Sequence, residues 1–167
     1  KLNLDVIYGD TDSIMVNSNT KDLSKALNIS KSLKQVVNKN YKCLEIELDG
    51  IYKSILLLKK KKYAALKEVE GNLIKEVKGL DQVRRDWCQL SKRVSDTVLD
   101  IILEGGNKED SIARIKEFLT ETKTQIKEGN QVPLGEFVIT KQLTKPPDKY
   151  READNLPHVN VAKILME

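Results

Sequence analysis

The hydrophobic period of this chain changes near Arg84, and that change limits its fold more than any other feature. Upstream, apolar residues come in short alternating or continuous blocks, the signature of strands. Leu2 to Tyr8 reads as a first strand and Ile14 to Val16 as a second, with a polar turn between them, so a hairpin is predicted. Leu23, Ala26, Leu27, Leu33 and Val37 then recur at helical spacing, with Asp22 in the first turn where it suits the helix dipole. Leu44, Ile46 and Leu48 alternate with Glu45, Glu47 and Asp49, predicting a half-buried strand, and Asp49-Gly50 turns the chain into Ile51 to Leu58. That second piece is apolar on both faces near its end and is expected at the centre of a sheet. Lys59 to Leu66 reads as another extended piece, and Gly71-Asn72 as the turn of a hairpin returning through Leu73 to Val77.

Downstream the spacing becomes helical. Trp87, Leu90, Val94, Val98, Ile101 and Ile102 predict a helix beginning at Arg84, with Trp87 in the core and Gly105-Gly106 as the stop. Ile112, Ile115, Leu119 and Ile126 mark one face of a second helix, with Asn107 as its cap and Gly129 as its terminator. From Val132 the tail holds all four prolines and reads as loop with short extended pieces. The fold expected is α+β, with a strand-rich segment over 1–83 and a mainly helical one over 84–167.

With 167 residues, 40% hydrophobic and 32% charged, the chain has the composition of a folded domain with a heavily charged surface. Cys43 and Cys88 stand alone and His158 is the only histidine, so no structural zinc set can be assembled and a reduced, intracellular protein is expected. No nucleophile is tied to His158 by any motif, which leaves it a structural or surface role. The apolar run Ile55 to Leu58 is far short of the about 20 residues that span a bilayer. The net charge of +4 is too small to announce a polyanion partner, but the lysines bunch at Lys59 to Lys62, with Arg84 and Arg85 behind them. A polyanion site would therefore lie in the first half. The chain begins without methionine, already in a strand, and is expected to be part of something longer.

Two features carry chemistry. Asp10 and Asp12 lie two apart at a hairpin tip, where the pleat can aim both carboxylates to one side with Thr11 turned away. Such a pair either shapes a turn or makes a hard-oxygen site of the kind Mg²⁺ prefers. In a two-metal site, ions about 3.5 to 4 Å apart polarise the attacking and leaving oxygens of a phosphoryl transfer. The same spacing occurs in glycosyltransferases that hold a sugar nucleotide through a metal. The lysine run is either a solvated strand end, an import signal or a phosphate-binding edge. If it is extended, Lys60 and Lys62 share one face while Lys59, Lys61 and Tyr63 share the other. For Arg84 and Arg85, a salt bridge to Asp81 or Asp86 is the simplest explanation.

The full string Tyr8-Gly9-Asp10-Thr11-Asp12-Ser13 resembles the third signature motif of family B DNA polymerases. Lys60-Lys61-Lys62-Tyr63-Ala64 resembles that family's basic-tyrosine motif, with lysine at Lys62 where many members have arginine. Lys78-Gly79-Leu80-Asp81 with Val83-Arg84-Arg85-Asp86-Trp87-Cys88 looks like the start of the thumb in the family's alpha type, and Leu143-Thr144-Lys145 and Leu156-Pro157-His158-Val159 also resemble that type. Asn160 stands where a second histidine would be expected, and Pro146 to Asn155 matches loosely.

The resemblance implies a palm-type antiparallel sheet with a packed helix over 1–83, then the start of a thumb over 84–167. It implies DNA-directed DNA polymerase activity in nuclear replication, with Mg²⁺ as cofactor. Asp12 would be the main catalytic and metal-holding residue and Asp10 the lesser one, supported by Tyr8, Gly9, Thr11 and Ser13. Lys60, Lys61, Lys62 and Tyr63 would grip DNA, with Arg84 and Arg85 as further phosphate contacts. Primer-template DNA with an RNA-DNA primer, deoxynucleoside triphosphates, primase and an accessory subunit are the implied partners. The family's first two motifs are absent, so the segment by itself is expected to be inactive. A noncatalytic nucleic-acid-binding module and a metal-dependent glycosyltransferase are the alternatives.

Overall fold

The computed structural model describes residues 4–129, 131–151 and 155–166; Leu2 and Asn3 of the expected first strand lie outside them. In chain order the elements are strands β1 (Asp5–Asp10) and β2 (Ser13–Asn17), helix α1 (Leu23–Asn40), strands β3 (Ile51–Lys59), β4 (Lys62–Val69) and β5 (Asn72–Lys78), and helices α2 (Gln89–Glu104), α3 (Lys108–Lys127) and α4 (Pro157–Met166). Short 3-10 turns stand at Asp81–Val83, Leu134–Phe137 and Pro147–Lys149. Helices with antiparallel sheets make this an α+β chain, as the change of period predicts. It forms two compact units, Lys1–Leu80 with Val98–Lys116, and Asp81–Thr97 with Glu117–Glu167. Among the described residues no helix is long and apolar enough to cross a membrane.

In the first unit β1 and β2 form the expected hairpin, from Asp5↔Asn17 to Asp10↔Ser13, with an irregularity between Val6 and Tyr8. Helix α1 starts one residue later than its acidic signal suggests. Asp22 is the cap itself, its carboxylate accepting the N–H groups of Ser24 (2.9 Å) and Lys25 (3.2 Å). The strand expected over Leu44 to Leu48 does not form. Among the described residues no neighbouring strand reaches it; instead the Asn38 side chain takes the Ile46 N–H at 2.8 Å and donates to the Ile46 carbonyl at 3.2 Å. An amide presents a donor and an acceptor side by side, so one asparagine stands in for a strand edge.

Strands β3, β4 and β5 form a meander in that order, and β4, not β3, is central. Two short turns in succession put the middle strand in the middle, whatever the apolar content of the first. Ala64 and Ala65 are fully buried, while Leu58 at the end of β3 is 58% exposed. One face of this sheet carries Leu56, Ala64, Leu66 and Val77, which pack with Leu80 against Leu99 and Leu103 of α2. Polar pairs flank that seam: Ser54 donates to the Leu103 carbonyl at 2.7 Å, and Lys75 pairs with Asp100. Leu103 is 2% exposed, so Leu103→Ala should cost about 2 to 5 kcal/mol of stability, read as a lowered denaturant midpoint at unchanged slope.

Helix α2 begins at Gln89 rather than Arg84. Asp81–Val83 is a 3-10 turn, the Arg84 N–H bonds the Asp81 carbonyl at 2.9 Å, and the first intrahelical bond runs from Lys92 N–H to the Cys88 carbonyl. Trp87 therefore precedes the helix and is 37% exposed instead of sitting in the core. Downstream, Gly105 and Gly106 (φ 75° and 113°) end α2 as expected, the Asn107 side chain caps α3 by accepting the Glu109 N–H, and Gly129 (φ 75°) follows the end of α3. On α3, Ile115 is half-covered, but Ile112, Leu119 and Ile126 are exposed, and the buried residue is Thr122. Its hydroxyl is satisfied by the Phe118 carbonyl at 2.8 Å, which lets a polar residue lie inside. The tail holds a helix, α4, where the prolines suggested loop. Pro157 opens it, at a position whose N–H has no helical partner anyway, and Val159 is fully buried. His158 lies half-buried in its first turn.

Candidate active site

At the tip of the β1–β2 hairpin Asp10 is the last strand residue, and Thr11 and Asp12 form a two-residue turn. The expected pleat does not extend through the pair, because Thr11 has φ 51° and the Asp12 N–H folds back on the Asp10 carbonyl at 2.6 Å. Thr11 is not simply turned away: its hydroxyl donates to Asp10 Oδ1 at 3.3 Å, while the Ser13 hydroxyl donates to the Asp10 carbonyl at 3.4 Å. The two carboxylates differ in setting. Asp12 is exposed, whereas the Asp10 side chain is only 17% exposed. A Cβ on Gly9 would meet Ile14 and Ser13 at 3.6 Å, ordinary contact, so the hairpin alone does not demand glycine there.

The lysine run is a turn, not an extended edge. Lys59 pairs with Lys62, and Lys60 and Lys61 are the two residues between, Lys61 with φ 61°. Alternation therefore fails, and Lys60 and Lys61 approach the same carboxylate, their Nζ atoms 3.7 Å and 3.6 Å from Asp10. Both ammonium groups remain largely exposed, so each pair adds no more than about 1 kcal/mol. Left-handed backbone at a lysine costs about 1 to 2 kcal/mol. Two contacts hold it: the Tyr8 phenolic oxygen accepts the Lys61 N–H at 2.9 Å, and Gly79 (φ 65°) passes so close that a Cβ there would lie 2.0 Å from the Lys61 carbonyl oxygen. Gly79 stands in the string Lys78-Gly79-Leu80-Asp81, but its support of the lysine turn could not be read there; the local signal is a glycine directly after a strand. Lys62 opens β4, half-buried.

Tyr63 is 6% exposed, and its hydroxyl donates to Glu76 at 3.0 Å. The Tyr52 hydroxyl reaches the same oxygen at 3.4 Å, Lys78 Nζ stands 3.0 Å from it, and Lys78 also lies 5.8 Å over the Tyr63 ring. Burial pushes the Glu76 carboxyl up, but hydrogen bonds from Lys78 and Tyr63 and the charges of Lys78 and Lys67 hold it below its ordinary value. Burial and the Glu76 charge push the Tyr52 phenol up. Tyr52 and Glu76 fall in segments the sequence reads only as strands, outside the motifs that carry the resemblance. Arg84 and Arg85 are in the second unit. Arg84 makes a bidentate pair with Asp86, both contacts 2.9 Å, and Arg85 is exposed beside it.

Tyr8, Asp10, Lys60 and Lys61 are thus brought together, with the Asp12 carboxylate at the tip of the same hairpin. Among the described residues no group of three or more His, Cys, Asp or Glu side chains gathers to hold a metal. An exposed Asp12 and a lysine-flanked Asp10 still fit a hard cation that takes one or two protein carboxylates and fills its shell with water and phosphate oxygens.

A family model described as DNA polymerase family B matches residues 1–167. The chain is 52% identical over 173 residues to the DNA polymerase alpha catalytic subunit of Sterkiella nova, taking in 100% of this chain and 12% of that protein. It is 52% identical over 169 residues to the rice protein of the same name and 50% over 167 residues to that of Drosophila melanogaster, covering 99% and 97% of this chain and 11% of each relative. Its fold is similar to the structure of the family B DNA polymerase from the hyperthermophilic archaeon Pyrobaculum calidifontis, with TM-score 0.70, 28% sequence identity, and 98% of this chain against 19% of that one. The chain thus spans about a ninth of the length of these curated relatives. Matched from end to end by the family model, the chain belongs to DNA polymerase family B.

Proposed function

We propose that this chain is the segment of an alpha-type DNA polymerase catalytic subunit that carries the second half of the palm, 1–83, and the start of the thumb, 84–167. The observation that carries the reading is the acidic hairpin Tyr8–Ser13 docked on the lysine turn, in a chain about half identical to polymerase alpha subunits over nearly all its length. A sugar-nucleotide transferase gives no reason for lysines at that place.

In the complete enzyme a primer 3′-hydroxyl would attack the α-phosphate of an incoming deoxynucleoside triphosphate, with pyrophosphate leaving. Asp12, and secondarily Asp10, would hold Mg²⁺, which when bound supplies positive charge against the phosphate oxygens. Asp12 is the better placed, because its carboxylate is exposed while Asp10 already faces two ammonium groups. Lys60 and Lys61 would meet backbone phosphates of the primer-template duplex, contacts that set register and do not read sequence. Tyr63 would act from below, as a buried prop of β4, and Lys62 beside it. Arg84 and Arg85 would add phosphate contacts, Arg84 after sharing its guanidinium with Asp86. An RNA-DNA primer, primase, an accessory subunit and action in the nucleus complete the reading, by likeness to the relatives.

The test is duplex binding and primer extension by the full-length polypeptide across a salt series. Lys60→Ala with Lys61→Ala should weaken primed-duplex binding about tenfold and lower the slope of log affinity against log salt by up to about 2. A polypeptide that binds duplex but never extends a primer with Mg²⁺ would instead be a noncatalytic module.

A further inference from the structure

A two-residue turn leaves its inner N–H groups outside the ladder, and they bond to water unless something else is brought to them. At Lys61 that partner is Tyr8, 53 positions away in the chain, its hydroxyl oxygen 2.9 Å from the peptide nitrogen. Tyr8 and Asp10 are two apart on β1, so the pleat turns both toward the same side. Their division of labour follows: Tyr8 holds the backbone of the turn, and Asp10 faces the two ammonium groups it carries. Lysine side chains are long and flexible, and where their charges sit depends on where the backbone beneath them is fixed. A phenylalanine would fill the same space without offering an acceptor.

We propose that Tyr8 is a positioning residue for nucleic-acid binding: its phenolic oxygen pins the Lys61 peptide and so keeps both ammonium groups of the lysine turn at the acidic hairpin, where duplex phosphates can meet them. This rests on the reading of the lysine turn as a duplex contact. Asp10 alone cannot do this, since an ion pair to the exposed end of a flexible lysine leaves the backbone beneath it free to rock.

Tyr8→Phe in the full-length polypeptide tests it by two measurements. Hydrogen–deuterium exchange, followed by mass spectrometry on peptides spanning Leu58 to Ala64, should accelerate at the turn by about fivefold, while peptides of β4–β5 beyond it keep their protection. Primed-duplex affinity should fall about threefold to tenfold, and the loss should vanish when Tyr8→Phe is added to Lys60→Ala with Lys61→Ala. Unchanged exchange at the turn overturns the pin. Loosening spread through β4–β5 overturns it too, because Tyr8 would then be packing alone. An undiminished loss in the lysine-free background would mean that Tyr8 acts elsewhere. If the lysine pair can be removed without weakening duplex binding, the duplex reading fails and this role for Tyr8 fails with it, and the exchange data then report separately on the pin.

Discussion

Asp12→Asn in the full-length polypeptide is expected to lower primer extension by about 10³-fold while changing stability by less than about 0.5 kcal/mol. Asparagine keeps the shape of the side chain and removes the charge. Asp12 is exposed at the hairpin tip, so little of the fold depends on it, whereas the proposed chemistry depends on that carboxylate to gather positive charge against the phosphates. Asp10→Asn is the informative companion. Its carboxylate is the counter-ion of Lys60 and Lys61, so its loss should release those lysines and show in the binding of primed duplex as well as in rate. The measurement is steady-state extension of a primed template with the DNA-concentration dependence resolved. An Asp12→Asn protein that extends primers within tenfold of the parent would remove Asp12 from the chemistry.

Gly79→Ala should be the most damaging glycine-to-alanine change in the first unit, costing about 2 to 4 kcal/mol. Two penalties combine. Gly79 has φ 65°, a conformation that costs an alanine about 1 kcal/mol, and its new methyl would lie 2.0 Å from the Lys61 carbonyl oxygen. A backbone atom cannot swing aside as the end of a side chain can, so β5 or the lysine turn must move. Gly71 provides the control. It too is left-handed, φ 86°, but a Cβ there meets nothing within 4 Å, so Gly71→Ala should cost only about 1 kcal/mol. Denaturant midpoints of the two variants separate the clash from the dihedral penalty, and equal costs would show that the close approach at Gly79 carries no energy. If the turn is what yields, Gly79→Ala should also weaken primed-duplex binding, an effect Gly71→Ala should lack.

Much of the chain was readable where structure is set by neighbours in sequence. The Tyr8–Ser13 turn between apolar strands, the hairpin turn at Gly71 (formed by Glu70-Gly71, one residue earlier than the expected Gly71-Asn72), the glycine stop after α2 and the Asn107 cap depend on residues within a few positions of one another, and turn chemistry and helix caps act at that range. The same locality explains the failures. The Leu44 to Leu48 alternation has the pattern of a strand, but a strand exists only with a partner, and the one on hand is the Asn38 side chain. The apolar β3 invited a central place, but order in a meander is decided by the turns. Prolines hid α4 because one of them serves at its first position.

At the site, the sequence by itself determined which chemistry is present: two carboxylates on a hairpin tip, a block of lysines, and a string of six residues specific enough to indicate the family. Only the tertiary structure decided how those groups are shared. It turned the lysine block into a tight turn, set Lys60 and Lys61 on Asp10 rather than on opposite faces, left Asp12 open, and buried Tyr63 against Glu76. The physical reason is distance along the chain. The Tyr8 bond to the Lys61 N–H and the passage of Gly79 over the Lys61 carbonyl join segments that no short-range pattern connects, and a left-handed lysine is held there only because those segments meet.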